Sequence, residues 1–248
     1  MTQDGGVRRR DFLKGIGVSG AAGLAASTTC PTAAQDSATA EQRPWHVHDS
    51  PARTARTEPP RFFTSIEAAV VVALVDTMIP KDEVGPGGVE VGVPTFIDRE
   101  LAGAFGRGAR MYSQGPFAEG SPQQGYQLPL TPAELYRVGI ADLNAWCAKV
   151  HGGKTFDRLS AAERTAALQS VEQGKAEFAQ VPPRLFFNML LQNTMEGYFG
   201  DPLYGGNRDK AVWKMIGFPG AIAMYFDDIE AYRNKKYDVE PKSIQDLS

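Results

Sequence analysis

Cysteine is nearly missing from this chain of 248 residues: there are two, Cys30 and Cys147, and no C-x-x-C-H run. Covalent attachment of haem is thereby excluded. Histidine is almost as scarce, with only His46, His48 and His151, so a metal site has few ligands to draw on and a nucleophilic triad has few bases. His46 and His48 stand two apart in an extended stretch and could hold a stray metal, but they read more simply as solvated residues. His151 precedes Gly152 at a helix end, where a cation suits the dipole, and reads as a cap. An excess of positive charge is absent too: 26 Lys and Arg face 29 Asp and Glu, a net charge of -3. Phosphate backbones would find no basic footprint, and nucleic acid is not expected as a partner. No segment alternates in the β-branched pattern of a sheet, so the fold is expected to be mainly α. Without strands, the glycine-rich stretches "GPGG" (85–88) and "YGGN" (204–207) are not the strand-to-helix turns of a dinucleotide or phosphate fold.

The N-terminus carries an address. Arg9 and Arg10 are followed by Asp11, Phe12, Leu13 and Lys14, then by a glycine- and alanine-rich apolar run from Gly15 to Ala26. This resembles a twin-arginine export signal, read by a translocase that moves folded proteins across the bacterial inner membrane. The apolar run is too short and too weakly hydrophobic to span a bilayer unaided. A signal over residues 1–34, with cleavage after Ala34, would remove four cations and two carboxylates and take the net charge from -3 to -5. Cleavage there would leave Cys147 alone, and stability would rest on packing rather than an internal disulfide. "STTC" before Cys30 is a poor lipidation box, because threonine stands where glycine or alanine is expected.

Residues 35–62 are polar and proline-dotted and read as an extended arm, followed by a single helical body over 63–248. Helix starts are clearly marked. Thr64 with Glu67, Thr131 with Glu134 and Ser160 with Glu163 each have the spacing of a capping box. Pro94, Pro132 and Pro183 stand at first-turn positions, where a missing N–H costs nothing. The helix after Thr64 is apolar nearly all round and is expected in the middle of the body. Residues 105–130, glycine- and proline-rich, are expected to wrap the surface. Asp98, Glu100, Glu196 and Asp201 read as surface or structural carboxylates, and Cys147 beside Trp146 as a small buried hydrophobe.

Two long segments carry a likeness to a known family: "VDTMIPKDEVGPGGVEVGVPTFIDREL" (75–101) and "TMEGYFGDPLYGGNRDKAVWKMIGFPG" (194–220), the second with an unusual D-P-x-Y-G-G-N-R-D core. Together with the export signal they resemble the gluconate 2-dehydrogenase subunit 3 family. The resemblance implies a small accessory subunit with no cofactor of its own. It implies as partners an FAD-containing subunit of the glucose-methanol-choline type and a multi-haem cytochrome c that holds haem c and feeds the quinone pool. It also implies the twin-arginine translocase as the carrier of the folded, flavin-loaded complex to the periplasm, at the inner membrane. In the second segment Gly205 and Gly206 would allow a tight turn, and Asn207 would cap the helix "RDKAVWKMIG". Tyr204, Arg208 and Trp213 would either pin the turn internally or face the large subunit. Two other readings stay open: an independent periplasmic enzyme with its site in the loops 80–95 and 195–220, and a periplasmic protein that binds a small ligand.

Overall fold

A computed structural model describes residues 59–247 apart from 110, 112, 113, 119 and 223. The expected export signal with Arg9, Arg10, Phe12, Leu13 and Lys14, together with Cys30, His46 and His48, lies outside the described residues. Among those described there are seven α-helices and no strand. They are α1 (Ser65–Met78), α2 (Val93–Ala102), α3 (Pro132–Val150), α4 (Ala161–Glu172), α5 (Pro183–Phe199), α6 (Ala211–Ile216) and α7 (Phe226–Ala231). The fold is mainly α, as the sequence indicates.

The three capping boxes form as their spacing predicts. At each, the hydroxyl accepts from the glutamate amide and the glutamate carboxylate accepts from the N-cap amide, at Thr64/Glu67, Thr131/Glu134 and Ser160/Glu163. His151 is the C-cap of α3. These local signals place the helices, and burial then orders them. Both α1 and α5 pack against α2, α3 and α4. An aromatic chain runs through the centre from Phe63 to Tyr136, Phe186 and Phe178, with ring centroids 5.9 to 6.2 Å apart, within the range of favourable tilted pairs.

Helix α1 departs from the expectation of burial all round. Val70, Val71, Leu74, Val75 and Met78 are buried, but Ile66 is 70% exposed and Val72 40%. Its three helical neighbours cover one side only, so apolar composition overstates burial here.

Two buried acids tie chain segments together. Asp98 on α2 accepts from the amides of Arg61, Phe62 and Phe63 at 2.6, 3.0 and 3.0 Å. The last residues before α1 are therefore docked onto the body. Asp142 on α3 similarly accepts from the amides of Gln180 and Val181 at 2.9 and 3.2 Å. Each carboxylate offsets its desolvation with several donors, the condition for burying such a group.

Candidate functional site

The stretch 200–220 is built as a cover over the C-terminal end of α5. A helix end leaves its last carbonyls without partners, and here two side chains from the loop supply donors. Trp213 donates its indole N–H to the Phe199 carbonyl at 2.7 Å, and Asn207 donates its side-chain amide to the Gly200 carbonyl at 3.0 Å. Asn207 is fully buried, and its side-chain oxygen accepts from the Val212 amide at 2.9 Å. One asparagine thus joins the end of α5 to the start of α6.

The expected helix from Arg208 is not what forms. Asn207, Asp209 and Lys210 take left-handed conformations, with φ of 42°, 59° and 56°. Residues Arg208–Lys210 make a 3-10 turn and α6 begins only at Ala211. The N-cap of α6 is Lys210, not Asn207 as expected; Asn207 instead tethers the first turn of α6 by accepting from the Val212 amide. The glycine pair has two different tasks. Gly205 sits at φ 106°, which favours glycine. Gly206 lies so close to α5 that an added Cβ would fall 1.9 Å from the Gly197 carbonyl oxygen.

The two segments set apart in the sequence are brought together here. The Tyr198 hydroxyl donates to the Pro86 carbonyl at 2.8 Å, and the Arg208 amide to the Val91 carbonyl at 3.0 Å. Between α2 and α5 lies an open groove of about 510 Å³, lined by Phe96, Glu100, Glu196, Phe199, Gly200, Asp201 and Tyr204. Burial and the neighbouring Glu196 push the Glu100 carboxyl above its ordinary value. Glu196 is oriented from behind: Gln192 and Asn193 donate to its two oxygens at 2.8 and 3.2 Å, and Asn193 accepts from the buried Tyr136 hydroxyl at 2.9 Å. In sequence, Glu100 and Glu196 read as surface or structural carboxylates, and Glu196 is exposed. They are 96 positions apart, and nothing local in either neighbourhood announces the pairing. Among the described residues no group of three or more histidines, cysteines or acids is placed to hold a metal.

The C-terminal tail braces this site. Lys242 forms an isolated parallel bridge with Gly220, the Ile244 amide donates to Asp201 at 2.8 Å, and Lys210 pairs with Asp246 at 2.8 Å. Phe199, Leu203, Tyr204, Ile216, Phe218 and Ile244 each leave a third or more of their surface in solvent, and Phe199 and Tyr204 line the groove. Of the residues proposed from sequence for a partner face, Tyr204 and Arg208 are exposed, while Gly206, Asn207 and Trp213 are buried and hold the loop in shape. Gly205 lies between these extremes.

Fold and site together define, among the described residues, a mainly helical protein organised round a braced surface loop and an apolar, acid-bearing groove. A family model described as gluconate 2-dehydrogenase subunit 3 matches residues 65–220. The chain belongs to that family, and the match runs from the start of α1 to the end of the braced loop. No curated protein and no solved structure matches the chain. The family's description makes it a subunit of a gluconate dehydrogenase complex, which implies partner subunits.

Proposed function

We propose that this chain is the non-catalytic small subunit of a periplasm-facing, FAD-dependent gluconate or sugar dehydrogenase, and that it docks the flavin subunit through the face around residues 199–218. The observation that carries the reading is that Phe199, Leu203, Tyr204, Ile216 and Phe218 are all exposed within one short stretch of chain, which Asn207 and Trp213 tie to the end of α5. Exposed apolar residues gathered on one face mark sites of association, and a preorganised loop loses little entropy when it binds. In this reading FAD belongs to the large subunit and haem c to a cytochrome subunit.

Arg9 and Arg10 complete the proposal. Flavin is inserted in the cytoplasm, which requires the large subunit to fold before export, and a twin-arginine route accepts folded cargo. The small subunit then carries the assembled complex across the inner membrane.

The test is co-purification from the native host with a C-terminal tag on this chain, followed by a flavin absorbance spectrum and a dye-linked dehydrogenase assay with sugars. A yellow complex with a large partner is expected. A colourless, solitary chain under gentle extraction would overturn the reading. Replacing Arg9 and Arg10 by lysine is expected to strand dehydrogenase activity in the cytoplasm, and undiminished periplasmic activity would remove the carrier role.

A further inference from the structure

Two prolines, Pro59 and Pro60, precede Arg61. Neither has an amide N–H, so Arg61 is the first residue of this stretch able to donate from its backbone. From there four consecutive amides are all committed to carboxylates. Those of Arg61, Phe62 and Phe63 go to Asp98 on α2, at 2.6, 3.0 and 3.0 Å, and that of Thr64 goes to Glu67 at 2.8 Å. Arg137 on α3 completes the arrangement. Its Nη2 donates to the Phe62 carbonyl at 2.8 Å, its Nη1 to Glu67 at 2.7 Å, and its guanidinium lies 4.3 Å from the centre of the Phe62 ring. Phe63 is buried, with its ring 6.1 Å from that of Tyr136. Helix α1 needs none of the Asp98 contacts to begin, because Thr64 and Glu67 already form its capping box. A buried acid, 7% exposed, thus serves three residues that lie outside any helix.

We propose that Asp98 and Arg137 form a latch that fixes the point at which the N-terminal segment joins the body and shields the Arg61–Phe62 bond from proteases that cut after basic residues. Arg61 is exposed, so its side chain offers such an enzyme a point of attack. The backbone does not. A protease takes its substrate as an extended strand, through N–H and C=O groups on both sides of the bond, and here the amides of Arg61, Phe62 and Phe63 and the carbonyl of Phe62 are already engaged. Cleavage therefore waits for the latch to open, and its rate follows the open population. The latch also has a definite place in the fold. Asp98 and Glu100 are two positions apart on α2, about 200° round the helix axis, so the junction at Arg61 stands on the opposite side of α2 from the groove that Glu100 lines. The inference depends on neither the docking nor the export reading.

The experiment exposes the full chain and the variants Asp98→Asn and Arg137→Met to trypsin and follows the appearance of a new N-terminus at Phe62 by mass spectrometry. A synthetic peptide of residues 56–67 gives the rate for the unprotected bond, and amide exchange is measured at Phe62, Phe63 and along α5. The wild-type chain should be cut at this bond about a hundredfold more slowly than the peptide, or slower still. Asp98→Asn keeps the shape of the side chain but puts N–H groups where an oxygen accepted. Cleavage should rise about tenfold, with faster exchange at Phe62 and Phe63 and unchanged exchange along α5. Arg137→Met keeps much of the stem, removes the donors and should raise cleavage in the same local manner. If Asp98→Asn fails to fold, Arg137→Met decides by the same comparison. A wild-type bond cut within about twofold of the peptide's rate overturns the proposal. So do variants that are cut no faster than wild type, and variants in which cleavage and α5 exchange rise in equal proportion, since protection would then belong to the whole fold and not to a latch.

Discussion

The Trp213 indole N–H lies 2.7 Å from the Phe199 carbonyl, and that contact helps to close α5 with a residue 14 positions further along the chain. The ring is 4% exposed and stacks edge-on against Phe218, centroids 5.1 Å apart. It therefore supports the exposed Phe218 from below while satisfying a helix end. Trp213 was expected from sequence to pin the loop or to face a partner; it pins.

Trp213→Phe should keep most of the packing and remove only the donor. Leaving a carbonyl without its partner costs about 1–3 kcal/mol, to be read as a lower urea midpoint with an unchanged slope. Trp213→Ala should cost more, about 3–5 kcal/mol, because the ring's volume goes too.

Asn207→Ala removes a donor to Gly200 and an acceptor from Val212 at once. With two groups orphaned and the φ of 42° retained by a residue less suited to it, the loss should reach about 2–4 kcal/mol. Amide exchange at Val212 should rise in a variant destabilised this way, well beyond the change at α3.

Gly206→Ala places a methyl where the Gly197 carbonyl already stands. The loop must move off α5, at a cost of about 1–3 kcal/mol by overpacking, and a protein of this size should lose about 2–4 °C in Tm for each kcal/mol. On the proposed docking mode, capture of the flavin subunit should fall as well, because Leu203 and Tyr204 shift with the backbone.

Acid should loosen the start of α1. Burial tends to raise the Glu67 carboxyl, but the Thr64 amide, the Arg137 guanidinium at 2.7 Å and the Thr64 hydroxyl together hold it below the ordinary glutamate value of 4.5. A depressed carboxyl binds protons less readily in the folded state, so its stabilisation is present above pH 4.5 and is lost as pH falls through the lower folded value. Glu67→Gln should flatten the acid limb of a stability-against-pH curve below that point and leave its shape at pH 6 to 8, roughly, unchanged.

Cys147 should be chemically silent in the native protein. Burial pushes its thiol up to about 12, and the thiolate is the reacting form. In a Cys30→Ser background, modification by a disulfide reagent at about pH 8 should be about a thousandfold slower than for a free thiol and should become complete on denaturation.

Several parts of this protein were legible in order along the chain. Each capping box needs only a hydroxyl and a glutamate three positions apart, and each proline at a first helical turn acts through its own ring, so neighbours in sequence are enough to place α1 to α5. The glycine pair and Asn207 likewise announced a tight turn with a polar anchor. The exact route of the turn was not legible, because the loop is held by the contact of Asn207 with Gly200 and by the pairing of Lys210 with Asp246 in the tail, not by the preferences of residues 209 and 210.

What the sequence determined by itself is therefore the local grammar: helix starts and stops, the likeness to a subunit family and the scarcity of histidine and cysteine. Tertiary structure alone decided which faces meet. It placed Glu100 beside Glu196 across 96 positions, turned Trp213 inward while leaving Tyr204 in solvent, exposed one side of an almost wholly apolar α1, and folded residues 242–246 back onto the loop. Capping and turns depend on residues within a few positions of one another, whereas burial and charge pairing depend on which distant surfaces are pressed together when the core closes.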